Sequence, residues 1–106
     1  SGDDNSVVSR LTFLLEAINH AMGVAEGKSE NKIGLELERI EIGAKTVTIK
    51  GTTTGRKATQ TMVEAIKAGG KLNPTNSMLK EENNRDNFQI GLELKQQARA
   101  QETKKS

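Results

Sequence analysis

Residues 33–51 read Ile-Gly-Leu-Glu-Leu-Glu-Arg-Ile-Glu-Ile-Gly-Ala-Lys-Thr-Val-Thr-Ile-Lys-Gly, and the fold class turns on how this stretch alternates. Ile33, Leu35 and Leu37 alternate with Gly34, Glu36 and Glu38, which is the period of a strand with one buried face. The phase then slips by one residue, so that Ile40 and Ile42 become the inward positions. A slip of one within a strand is what a β-bulge produces, and it places a bulge near Glu38-Arg39. Gly43-Ala44-Lys45 turns the chain, after which Val47 and Ile49 alternate with Thr46, Thr48 and Lys50. Strand, Gly-containing turn and β-branched strand together make a hairpin.

Upstream of the hairpin the period changes to that of a helix. Val7, Val8, Leu11, Leu14, Leu15, Ile18 and Met22 form one apolar stripe, which predicts a helix over 6–24. Asn5 or Ser6 is the N-cap, Gly23 the stop, and 27–32 a loop. Downstream, Gly51 to Gly55 is a Thr-rich joint with Thr53 or Thr54 as the cap of a second helix. Its small apolar face is Ala58, Met62, Ala65 and Ile66, and Gly69-Gly70 supplies the left-handed residue that ends it. Pro74 excludes a central strand at that point, leaving a short strand over 77–83. Asn83 to Asn87 is turn chemistry, and Phe88, Ile90, Leu92 and Leu94 then alternate without interruption.

The element order is α-β-β-α-β-β, which predicts an α+β two-layer sandwich. Its four-stranded antiparallel sheet carries both helices on one face, as in a circularly permuted ferredoxin-like fold. The strand order would be third, fourth, second, first, with the first and third strands as edges. The expected core is Leu11, Leu14, Leu15, Ile18, Val47, Ile49, Met62, Ile66, Phe88, Ile90 and Leu92. One domain over 6–96 accounts for the pattern. Residues 1–5 form a polar lead-in, with Ser1-Gly2 reading as the remnant of a protease-cleavage site. Residues 97–106 lack apolar anchors and read as a disordered tail.

Composition narrows the chemistry. Ile, Leu, Val and Phe make up 23 of the 106 residues, just above the roughly 20% below which chains tend towards disorder. The core is therefore thin and aliphatic. Two Phe with no Trp or Tyr argue against stacking platforms for single-stranded nucleic acid. A net charge of +2 with interspersed signs is not a basic face. No Cys and a single His, His20, exclude thiolate and His-cluster metal sites. Gly51 to Lys57 fails as a phosphate loop, because three residues rather than four separate its glycines and Ala58 follows the Lys. Glu36, Glu38, Glu41 and Glu93 lie at outward or bulge positions, where nothing drives paired carboxylates apart in pKa. The reading is a protein without catalysis, cofactor, metal, nucleic acid or small-molecule substrate.

The segment Leu37 to Gly51 resembles the first hairpin of PilN-type fimbrial assembly proteins, in which such a hairpin precedes a helix. Residues 59–68 resemble that helix, and Phe88-Gln-Ile-Gly-Leu-Glu-Leu94 the closing strand. The resemblance implies the periplasmic ferredoxin-like domain of a bacterial inner-membrane protein. Such a protein belongs to the alignment platform of type IV pili, with related domains in type II secretion, and is anchored by a membrane helix upstream. It also implies partners of like topology, either a second copy or a PilO-like domain. The surfaces expected to meet them are the first helix (Val8, Leu15, Met22) and the first-strand edge (Leu35, Leu37, Ile40, Ile42). A small ligand-binding regulatory domain of the same topology is the alternative, with Gly69-Gly70 or the 51–55 joint as its glycine-rich loop.

Overall fold

The elements run α1 (Val7–Met22), β1 (Glu36–Ile42), β2 (Thr46–Thr53), α2 (Arg56–Ala68), β3 (Leu72–Glu82) and β4 (Arg85–Leu94). This is a computed structural model, and it describes residues 6–23 and 31–95. The lead-in at 1–5, most of the 27–32 loop and the 97–106 tail lie outside those residues. The sheet order is β1-β2-β4-β3, antiparallel throughout. The fold is thus the two-layer ferredoxin-like sandwich that the αββαββ order implies.

The two central strands supply the floor of the core. Val47 pairs with Leu92, Ile49 with Ile90, Gly51 with Phe88 and Thr53 with Asp86, and all eight residues are buried. The opposite face, with Thr46, Lys50, Gln89 and Glu93, is exposed. Above the floor sit Leu14, Ala17, Ile18 and Ala21 of α1 with Met62 and Ile66 of α2, closed by Ile33, Leu35 and Leu72. Of the expected core, Leu15 instead stands 45% exposed and Leu11 is half-buried. Among the described residues nothing covers that side of α1.

Helix boundaries follow local chemistry. Ser6 caps α1, its Oγ accepting from the Ser9 N–H at 3.0 Å, and satisfies one of the orphan donors of the first turn. Gly23, at φ 82°, closes the other end. The cap of α2 is Gly55 rather than Thr53 or Thr54. The Thr53 hydroxyl is taken up instead by Gly55 and by Thr59.

Two strands differ from the sequence reading. β1 begins at Glu36, not at Ile33. Gly34 turns to φ 59°, and the Asn31 side chain acts as a substitute strand. Its Oδ1 accepts from the Leu35 N–H at 2.8 Å, and its Nδ2 donates to the Leu35 carbonyl at 3.1 Å. Ile33 and Leu35 thus enter the core from a loop. β3 is longer than 77–83, starting at Leu72 and running through Pro74, which an edge strand tolerates. The turn is only Asn83-Asn84, at φ 56° and 62°, the two left-handed residues of a type I′ hairpin.

Both edge strands carry a register shift, between Leu37 and Arg39 in β1 and between Pro74 and Asn76 in β3. Gly51 faces the first of them. A Cβ there would overlap the Glu36 carbonyl oxygen and lie 3.1 Å from the Leu37 Cα, so the bulged backbone fits only against glycine. Gly51→Ala is expected to lower stability in urea melts by about 1–3 kcal/mol, the range of overpacking. Leu92→Ala, at a fully buried position, should cost about 2–5 kcal/mol. A loss below half of either lower bound would mean that the register is wrong.

Candidate functional site

The most structured polar cluster lies at the β2–α2 joint, where the inward face of the central strands passes from apolar to polar. Asp86 is fully buried. Arg56, in the first turn of α2, grips it with both arms, Nε donating to Oδ2 at 2.9 Å and the second nitrogen to Oδ1 at 3.1 Å. Thr59 adds a hydrogen bond to the same carboxylate, and its hydroxyl is 2.8 Å from that of Thr53. Burial pushes the Asp86 carboxyl up, but the hydrogen bonds from Arg56 and Thr59 and the Arg56 charge outweigh it and hold the group below its ordinary 3.8. The hydrogen bond to Asp86 in turn raises the guanidinium of Arg56.

Chemically this cluster is saturated. A carboxylate held ionised by a permanent cation has no proton to exchange near neutrality. The base beside the threonine hydroxyls is this same carboxylate, already held by both arms of Arg56. His20 is exposed, on α1. The arrangement ties α2 to β4.

Two further arginines work in the same way at other joints. Arg10 is buried, and its guanidinium donates to the carbonyls of Gly43 at 2.7 Å and Thr46 at 3.1 Å, pinning α1 to the β1–β2 turn. Arg85 donates to the Gly34 carbonyl and to the Thr52 hydroxyl, the latter at 2.8 Å. Sequence reading missed these residues, although the signal was present. Arg10 falls in phase with Leu14, Ala17 and Ile18, and Asp86 with Phe88 and Ile90. A polar residue in phase with a buried stripe is a candidate for a buried partnered charge.

A shallow groove of about 280 Å³ lies between α1 and α2, walled by Phe13, Ala17, Ala65, Ile66 and Leu72 with Gly69 at its end. Lys71 Nζ sits 5.4 Å from the centre of the Phe13 ring. The groove is small for a ligand pocket, and its lining is apolar apart from Glu16, His20 and Lys71. Among the described residues no three His, Asp or Glu side chains converge on a metal position, and no helix is long and apolar enough to cross a membrane.

The seven residues expected to meet partners fall into three groups. Val8 is 73% exposed, Leu15 45% and Leu37 37%. Met22, Ile40 and Ile42 are half-buried against the core. Leu35 is buried in it, so its side chain faces inward rather than towards the edge. No protein-family model matches the chain, and no curated protein is similar to it.

The pKa direction of Asp86 sets a pH dependence. The folded carboxyl titrates below 3.8, so its contribution is complete above that pH and is lost as pH falls through the folded value. Asp86→Asn should cost about 1–3 kcal/mol near neutrality by leaving a buried group poorly paired. The gap between the two proteins should stay constant down to pH 5 and narrow below pH 4. A gap that widened in acid would overturn this assignment.

Proposed function

We propose that this domain acts by binding protein rather than by chemistry, and that the outer side of α1 is its docking face. The observation that carries the reading is the exposure of Val8 and Leu15, two turns apart on one helix, at 73% and 45%, with Val7 beside them at 49%. Single exposed apolar residues need no explanation, but a row of them along one helix is what a partner surface offers. The Arg10 clamp supports this role, since it holds the N-terminal half of α1 in a fixed pose on the sheet. β1 is the weaker candidate, because Ile40 and Ile42 are engaged with the core and only Leu37 projects.

Within that reading, the hairpin resemblance over 37–51 favours a place in the inner-membrane platform of type IV pili or type II secretion. The occupant of the α1 face is then a PilO-like domain of similar topology.

The test uses purified PilO-like periplasmic domain from the same genome and the doubly substituted Val8→Asp, Leu15→Asp protein. Wild type should bind, and the double variant should bind at least ~10-fold more weakly with an unchanged melting temperature. Equal binding by the variant would remove α1 as the face. A wild type that does not bind, together with a natural chain lacking an upstream run of ~20 apolar residues, would remove the pilus-platform assignment.

A further inference from the structure

The two sheet edges are not equivalent. β1 presents Glu36, Glu38, Arg39 and Glu41 in seven residues and carries its bulge mid-strand, which is how a free edge is kept from pairing. β3 has its register shift near one end, beside Pro74, and runs regularly from Asn76 to Glu82. From Leu72 to Leu79 it contains no charged residue. Every residue from Thr75 to Glu82 is exposed, including those registered towards the helices, because the helical layer stops short of this strand end. Met78 stands 66% exposed on the outer face opposite Gln89, and Leu79 38% exposed on the inner face opposite Phe88.

We infer that β3 is a self-pairing edge. Two copies of the chain join antiparallel along it, about a twofold axis through Met78, into a continuous eight-stranded sheet.

Charge selects that register. An axis through Lys80 would set the two Lys80 side chains directly opposite each other. An axis through Leu79 would leave them diagonal neighbours, about 7–8 Å apart, within reach of long side chains. An axis through Met78 faces Lys80 with Asn76 of the second copy and leaves Glu81 and Glu82 beyond the regular pairs, against the uncharged stretch at the register shift, so no like charges meet. The same register stacks Met78 on Met78 outside and brings the two Leu79 side chains to diagonal positions inside. The two exposed apolar residues of β3 are then both covered, on opposite faces of the joined sheet. An axis through Ser77 would leave only one regular residue pair on each side before the register shift, against two for the axis through Met78. The inference stands apart from the α1 reading, since it uses a different element.

Met78 is exposed, so its replacement leaves the core intact. Sedimentation equilibrium over a wide concentration range should find a wild-type monomer–dimer equilibrium. Met78→Lys and Met78→Glu should each raise the dissociation constant at least ~10-fold with unchanged circular dichroism, and an equimolar mixture of the two should restore association. The chain has no Cys, so Met78→Cys offers a second readout: it should form an intermolecular disulfide on mild oxidation faster than Val8→Cys. A wild type that stays monomeric, variants that associate like wild type, or faster cross-linking through Val8→Cys would each overturn the proposal. Val8→Asp, Leu15→Asp protein should dimerise normally, which separates failure here from failure of the α1 face.

Discussion

A chain this poor in large apolar residues can floor a four-stranded sheet but cannot also seal its corners with hydrophobic contact. The structure depends on guanidinium groups to do that. Arg10, Arg56 and Arg85 each span two elements and each end on oxygens at a joint: the Gly43 and Thr46 carbonyls, the Asp86 carboxylate, the Gly34 carbonyl. Hydrogen bonds from a charged donor are stronger than neutral ones and directional. A planar fork can hold two acceptors at a defined angle, which an aliphatic side chain cannot. The apolar layer sets how tightly the halves pack, and the arginines set where the loops stand relative to it. Among the described residues no buried side-chain polar atom lacks a partner.

The division between floor and corners also explains what the sequence revealed. Alternation in 46–53 and 88–94 is a direct image of one buried face, so the class, the element order, the strand order and the bulge in β1 were all legible. The α1 stripe was legible as well, but it was wider than the space available beneath it, and periodicity cannot say which side of a wide stripe wins. Leu15 lost its place in the core to the small Ala17 and Ala21, which allow close approach. Ile33 and Leu35 mimicked a strand because Asn31 pairs with Leu35 as a strand would, a side-chain substitution that no period encodes. β3 was misjudged because an edge strand exposed on both faces has no hydrophobic alternation to read.

The polar cluster at 53–59 and 86 was legible only in part, because Asp86 stands in phase with Phe88 and Ile90 but nothing nearby names its partner. Asp86 follows two asparagines and an arginine, a context that normally marks a turn, yet the turn itself needs only Asn83-Asn84. Its burial is decided by Arg56, thirty residues away in the chain. At that range the phase of Asp86 can hint at a buried charge, but it cannot identify the residue that neutralises it. The docking surfaces proposed for α1 and β3 share this character, since exposure is a property of what the fold fails to cover.

That same separation bears on how the chain reaches its structure. β1 with β2 and β3 with β4 are each hairpins that close over short loops, and each can form within its own half of the molecule. Among the described residues the β2–β4 pairing is the only sheet contact that joins the halves. Every one of its residue pairs encloses α2, β3 and the loops between them. Loop-closure entropy for that whole segment must be met before the seam yields any stabilisation. The two hairpins are therefore the local part of the topology and the β2–β4 seam its non-local part, with the Arg56–Asp86 clasp at the end of the seam where the enclosed loop is shortest.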